Sequence, residues 1–304
     1  MFNRNHLILF VIFLIIFDFF VWSQIVSGVN EQNNDLEVYF LDVGQGDSEL
    51  INLPNDVQVL MDGGPDNKIL EELSSILPPT DRYIDLVVLS HPQYDHFAGL
   101  IEVLKRYEIG AFLYNGREGT AKAFEDLKRT IEKNKIPTII LTQGDKIKYQ
   151  NNLLDILSPT ADLLKSKELN DTSLVISLAI ELVNQNFSKL HYVDDRQRNV
   201  ITKILFTGDI GFKVENYLTE NFNIDSDVLK VGHHGSKYSS GKKFLKAVNP
   251  KIAIIEVGKN TYGHPTSQTL NGLASIGSQI FRTDQSGTIK LVINGEKINI
   301  FKKK

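Results

Sequence analysis

Two imidazoles and a carboxylate close an apolar run in this chain. Residues 84–89, apolar except for Asp85, lead into His91-Pro92-Gln93-Tyr94-Asp95-His96, and an amphipathic segment, residues 97–107, follows. A short run of this apolarity reads as a strand covered on both faces, and the segment after it has helical spacing. The hexapeptide therefore stands at a strand-to-helix turn, where α/β proteins build their sites. A divalent cation needs neutral imidazole nitrogens and anionic oxygens converging within roughly 2.0–2.3 Å, and a rigid turn can supply several at once. The other reading of the same residues is a plain helix start, with Asp95 where the helix dipole favours a carboxylate.

Composition narrows the donors. The 304 residues contain no cysteine, which excludes disulfides and thiolate ligands and leaves His, Asp and Glu. With 42% hydrophobic and 23% charged residues the chain can bury a full core, at the upper size of one α/β domain. A formal charge of −4 and a pI near 6.0 lack the global basic excess of proteins that grip DNA through its phosphates, so any nucleic-acid contact must be local.

The N-terminus differs from the rest. Residues 7–22 are apolar apart from Asp18, with Arg4 and His6 before them. One carboxylate in a spanning helix costs roughly 2.5–3.5 kcal/mol, and each surrounding Leu, Ile, Phe or Val returns about 0.3–0.6, so insertion is favoured. The expected organisation is a signal or transmembrane anchor over 1–28, a linker over 29–35, and one main domain over 36–304. Positive charge on the N-terminal side alone puts that domain outside the membrane: anchored, or secreted if the leader is cleaved after Ser23 or Gly28.

Along the chain, strands are expected over 36–43, 48–53 and 57–61, then a helix over 69–77 stopped by Pro78-Pro79. Strand 109–114, helix 121–134 and strand 138–141 continue the alternation begun by 84–107. A β-rich middle follows at 146–149, 153–157, 173–182 and 201–206, interrupted by the polar stretch 184–199, which carries His191 and reads as a hairpin loop or edge excursion. Helices over 212–218, 242–247 and 267–273 alternate with strands over 228–231 and 252–257. A closing pair, 288–293 and 297–301, joins through Asn294-Gly295, a strong hairpin signal. Two halves that each run strands and then strand–helix units predict two sheets face to face with helices outside.

Further polar clusters sit at predicted strand ends. Asp42-Val43-Gly44-Gln45-Gly46-Asp47-Ser48 and Met61-Asp62-Gly63-Gly64 put acids beside glycines that let the backbone turn tightly. Each alone is also an ordinary turn. Phe206-Thr207-Gly208-Asp209 ends an apolar strand in an acid, either a ligand or a helix N-cap. Lys230-Val231-Gly232-His233-His234-Gly235-Ser236 pairs two histidines between glycines, and Tyr262-Gly263-His264-Pro265 adds a third. Five of the seven histidines lie in these clusters.

The ordered set DVGQGDS, MDGG, SHPQYDH, FTGD, KVGHHGSKYSS and YGHP, spanning residues 36–291, resembles the metallo-β-lactamase-fold domain at the C-terminus of ComEC-type DNA-uptake competence proteins. The resemblance implies a four-layer αββα sandwich with its metal site at the sheet edges, metal-dependent hydrolysis, and a nuclease role against the DNA strand that is not taken up. Carried onto this sequence, the family's HxHxDH motif falls on His91, Gln93, Asp95 and His96, so Gln93 replaces the middle histidine. The next ligand position falls on Ser173. The first metal position then keeps His91, weak help from Gln93 and a share of Asp209. The second keeps Asp95, His96, Asp209 and a histidine, His234, His233 or His264. The resemblance thus implies one firm Mn²⁺ or Zn²⁺ position and one doubtful position. Asp95 would orient the nucleophile, and His233 or His264 would donate to the leaving oxygen, with Asp47, Asp62, Ser173 and Lys237 in support. Lys230, Lys237, Lys242 and Lys243 form either a local phosphate-facing surface for DNA or a merely solvated helix face, and a separate DNA-channel protein is the partner this reading allows. The competing functions are hydrolysis of a small ester, lactone or amide, and a non-catalytic DNA- or polymer-binding module with a degraded site.

Overall fold

The computed structural model describes residues 4–29, 35–181 and 200–304. They divide into two units: Met1–Asn34 with Pro54–Asp56, and Asp35–Leu53 with Val57–Lys304. The first carries α1 (Arg4–Val29), whose described side chains from Ile8 to Trp22 are exposed. The expected spanning segment is not borne out: among the described residues no helix is long and apolar enough to cross a membrane.

The second unit is built on two sheets. One has eight strands in the order β15-β14-β1-β2-β3-β4-β5-β6, the other seven in the order β13-β12-β11-β10-β9-β8-β7. In the first, β1 (Leu36–Phe40), β2 (Glu49–Leu53) and β3 (Val57–Met61) form an antiparallel meander, and β4 (Tyr83–Leu89), β5 (Glu108–Tyr114) and β6 (Thr138–Ile140) continue in parallel. In the second, β7 (Lys146–Tyr149), β8 (Asn152–Ser158), β9 (Val175–Glu181) and β10 (Val200–Phe206) are antiparallel, and β11 (Val228–Lys230), β12 (Ile252–Ile255) and β13 (Gln279–Arg282) run parallel to β10. The last strands, β14 (Ile289–Asn294) and β15 (Lys297–Lys302), return to the first sheet beside β1.

Alternation of side chains along the strands produces the layers. Inward residues such as Val38, Phe40, Ile51, Ile176, Ile204 and Phe206 form one core between the sheets. Outward residues of the first sheet bury the apolar faces of α2 (Lys68–Ile76), α3 (Tyr94–Arg106) and α4 (Lys122–Lys133), and those of the second bury α5 (Phe212–Asn221), α6 (Lys242–Val248) and α7 (Ser267–Ser275). The order is therefore helix, sheet, sheet, helix. Phe40 and Phe206 stack across the sheets with centroids 6.0 Å apart, a contact worth about 0.5–1.5 kcal/mol beyond its buried area. Phe206 leads directly to Asp209, so this pair pins the site's edge of both sheets.

Three local expectations shift. Helix α3 begins at Tyr94, so Asp95 and His96 lie in its first turn instead of a loop before it. The final hairpin turns on Gly295 and Glu296, because Asn294 pairs with Lys297 and the positive φ falls on Gly295. The short elements β13 and α8 (Thr283–Ser286) have no counterpart in the sequence reading, being too brief for a periodic signal. The polar stretch 184–199, with His191, lies outside the described residues.

Candidate metal centre

Parallel pairing delivers the site. The β3–β4 register sets Met61 beside Val88, and β10, β11 and β12 lie side by side, so the loops after these strands share one edge. Close packing of backbone holds them there. A Cβ on Gly46 would lie 2.3 Å from the Asp95 carbonyl oxygen, and one on Gly99 would lie 2.0 Å from that of Gly63, so both positions require glycine for the loops to touch α3.

Asp62, in the left-handed region at φ 53, accepts the Ser90 backbone N–H at 2.7 Å, the Ser90 hydroxyl at 2.6 Å and His96 Nδ1–H at 2.7 Å. With the Ser90 proton committed to Asp62, its oxygen accepts His91 Nδ1–H at 3.1 Å. His234 Nδ1 donates to the Glu256 carbonyl at 2.9 Å. Each of the three imidazoles thus has its Nδ1 engaged and presents Nε2, the arrangement in which an outer hydrogen bond fixes a ligand histidine's tautomer. His233 and His234 both sit at φ 51, strained backbone of order 1 kcal/mol or more per residue. That turn is braced by His233 N–H to the Gly208 carbonyl at 3.3 Å and Ser239 Oγ to the Gly232 carbonyl at 2.8 Å.

Asp95, His96, Asp209 and His234 converge, one ligand atom from each lying within 4.8 Å of the others. Asp209 Oδ2 is 3.5 Å from both His96 Nε2 and His234 Nε2, and Asp95 Oδ2 is 3.3 Å from His234 Nε2. His91 Nε2, His96 Nε2 and Asp209 Oδ1 are buried and have no hydrogen-bond partner among the described residues. Orphaned donors and acceptors at such depth are costly unless something completes them, and two imidazole nitrogens with two carboxylates are what a divalent cation takes. The residues present fit one such ion.

Their electrostatics agree. Burial opposes charge on His96, but Asp209, Asp62 and Asp47 outweigh it and hold the imidazole well above its usual range. Burial likewise opposes His234, which Asp209 and Asp47 nevertheless push up to about 10. Asp209 is driven well below its ordinary value, and Asp95 to about 2, because the neighbouring histidines overcome desolvation. The same carboxylates that favour charge on His96 and His234 make this a site of negative potential suited to a cation, whose imidazole ligands would have to be neutral. His91 goes the other way, to about 3, through burial and then the charge on His96, which leaves a neutral imidazole.

The remaining positions separate. Gln93 turns its amide to Asn170 Oδ1, and Asn170 Nδ2 lies 3.3 Å from His233 Nδ1. Ser173 is buried and accepts the Asp209 backbone N–H at 3.4 Å. Neither His233 nor His264 joins the convergent set. His233 and His264 pack ring to ring at 5.6 Å on the wall of a cleft of about 390 Å³ whose lining also includes Asp95, Asp209 and His234.

Behind the donors lies a buried charged layer around Asp47, of which the sequence reading assigned neither Glu49 nor Glu256. Lys230 is fully buried, its ammonium bound to Asp47 and 3.1 Å from the Gly208 carbonyl. It cannot belong to a phosphate-facing patch, which corrects that expectation; Lys237 and Lys242 are exposed, and Lys243 pairs with Glu220 at 2.9 Å. Asp47 contacts His234 Nδ1 at 3.2 Å and His96 Nδ1 at 3.7 Å. Glu49 and Glu256 are buried beside it, Glu49 pushed up to about 8 by burial and by Asp47. Glu256 interrupts the apolar run 252–257 as Asp209 ends its own strand, a signal that could have marked it.

Two packed sheets with helices outside and cation donors on the loops at one edge define a metallo-β-lactamase-fold domain, and residues 196–258 match the metallo-beta-lactamase superfamily. The structure is similar to that of YhfI from Bacillus subtilis, with a TM-score of 0.52 at 12% identity over 84% of this chain and 99% of that one. It is also similar to a long form RNase Z from yeast, with a TM-score of 0.50 at 12% identity over 90% and 42%. At such identities these likenesses establish the fold alone. Within the class, the chain is similar to competence proteins. It is 28% identical to ComE operon protein 3 of Bacillus subtilis (strain 168) over 84% of this chain and 32% of that protein. It is likewise 28% identical to competence protein ComA of Neisseria gonorrhoeae over 84% and 32%. The chain thus spans about a third of the length of these relatives.

Proposed function

We propose that the domain is a metal-dependent phosphodiesterase that cleaves DNA in a DNA-uptake setting, working outside the cytoplasmic membrane beside a separate DNA-channel protein. The observation that carries this reading is the convergence of Asp95, His96, Asp209 and His234, of which Asp95, Asp209 and His234 line a cleft. The likeness to proteins named for competence supports the DNA-uptake setting.

Asp95, His96, Asp209 and His234 would hold the ion. A bound Mn²⁺ or Zn²⁺ supplies an acidified water and stabilises charge growing on a phosphoryl oxygen. The protein's own groups do the rest. Asp95, the partly exposed member at 30%, is placed to accept a hydrogen bond from the attacking water. Asp62 and the Glu256 carbonyl hold His96 and His234 in one orientation. His233 and His264, on the cleft wall, can donate to the departing oxygen.

Incubating the purified chain with labelled single- and double-stranded DNA and with a small phosphodiester, with Mn²⁺ or Zn²⁺ and with chelator, tests the reading. Metal-dependent strand cleavage is expected. Hydrolysis confined to small esters, lactones or amides would reassign the substrate, and metal-free protein without hydrolysis would make this a binding module. Fractionation of producing cells, with protease accessibility, tests the location.

A further inference from the structure

Two exposed aromatic rings flank the candidate metal centre from opposite sheets. Tyr94 stands just after β4 of the eight-stranded sheet, immediately before Asp95, and its side chain is 53% exposed. Tyr262 stands in the loop after β12 of the seven-stranded sheet and is 74% exposed. Both line the cleft that contains Asp95, Asp209 and His234. Single exposed tyrosines are ordinary; a pair, one following a strand of each sheet, lining one donor-lined cleft is a different matter.

Both rings are held by their surroundings. Tyr94 packs edge-on against buried Phe97 at 5.8 Å. The Tyr262 loop is organised by Asn260, whose Oδ1 accepts the backbone N–H of Tyr262 at 3.1 Å and of His264 at 3.0 Å, while its Nδ2 donates to the carbonyls of Gly258 and His264, each at 2.9 Å. The Tyr262 ring lies 5.8 Å from that of His264 at 32° between planes. An aromatic face kept in water on a helix terminus or a braced loop is prepared for another flat face at reduced ordering cost.

We infer that Tyr94 and Tyr262 are base-stacking positions that make the cleft selective for single-stranded nucleic acid, one unpaired base resting on each ring as the intervening phosphate meets the donor set. This rests on the phosphodiesterase reading for its phosphate but predicts a property of its own, the reading of base faces. Stacking is tolerant of sequence, because every base has a π face, and it excludes a duplex, whose base faces are already stacked on each other.

Binding separates this inference from catalysis. The full chain is titrated with a phosphorothioate-linked strand that resists cleavage, with an abasic strand of equal length and charge, and with the corresponding duplex. Wild type is expected to prefer the base-bearing single strand over both by at least roughly 10-fold, from about 1–3 kcal/mol per stacked base. Tyr94→Ala/Tyr262→Ala should lose that preference, and Tyr94→Phe/Tyr262→Phe should keep it. Equal wild-type affinity for base-bearing and abasic strands, or a preference that survives the double alanine change, overturns the inference. Absence of cleavage with the preference intact would overturn the phosphodiesterase reading instead.

Discussion

The Asp62 carboxylate accepts the Nδ1 proton of His96 at 2.7 Å, and the opposite nitrogen of the same ring lies 3.5 Å from Asp209 with no hydrogen-bond partner among the described residues. Asp62 thereby decides which way His96 faces, although it does not reach the Asp95, Asp209 and His234 group itself. Removing such an outer carboxylate lowers metal affinity about 10–100-fold. Asp62→Asn, titrated with Mn²⁺ or Zn²⁺ by calorimetry, should show a loss in that range with its circular dichroism spectrum unchanged.

Lys230 provides a second test. Its ammonium lies in full burial against Asp47, and Lys230→Met would remove the strongest of that carboxylate's charge partners at a cost of about 3–5 kcal/mol. Urea unfolding of the single variant should show that loss. The Lys230→Met/Asp47→Asn double variant should recover part of it, because the carboxylate is removed along with its strongest partner.

Away from the metal centre, Glu215 on α5 accepts backbone N–H groups from Ser240 and Gly241 and is pushed by burial from 4.5 to about 7. A carboxyl raised on folding binds its proton more tightly in the native state, so its stabilising contribution is complete below pH 4.5 and is lost as pH rises to about 7. Over that window the loss is about 3 kcal/mol. The stability of wild type relative to Glu215→Gln should therefore fall as pH rises through this window, measured by urea unfolding at a series of pH values. A difference independent of pH would mean the carboxyl is not raised.

Much of this architecture was legible in the order of residues, for identifiable reasons. Acids and imidazoles closing apolar runs, as at Asp62, His91–His96, Asp209 and His233–His234, are too costly to be casual, and parallel strands carry them to one edge. What stayed hidden depended on partners distant in sequence. Nothing near Lys230 reveals that Asp47 neutralises it in the core, so it reads as a surface cation. Nothing near Gln93 reveals Asn170, whose side chain occupies its amide. Glu256 shows the same acid-in-apolar-run pattern as Asp209 but lacks a flanking histidine. Choosing among His233, His234 and His264 required the left-handed turn at Gly232–Gly235, which directs only His234 into the donor set.

The most direct test of the central claim pairs metal content with strand cleavage in wild type and in Asp95→Ala/His96→Ala. Wild type loaded with Mn²⁺ or Zn²⁺ should retain about one ion per chain after desalting and cleave DNA. The double variant should fold, retain no ion, and lose cleavage by at least roughly 100-fold, beyond what loss of an outer ligand produces. Cleavage that persists in the double variant would contradict the account.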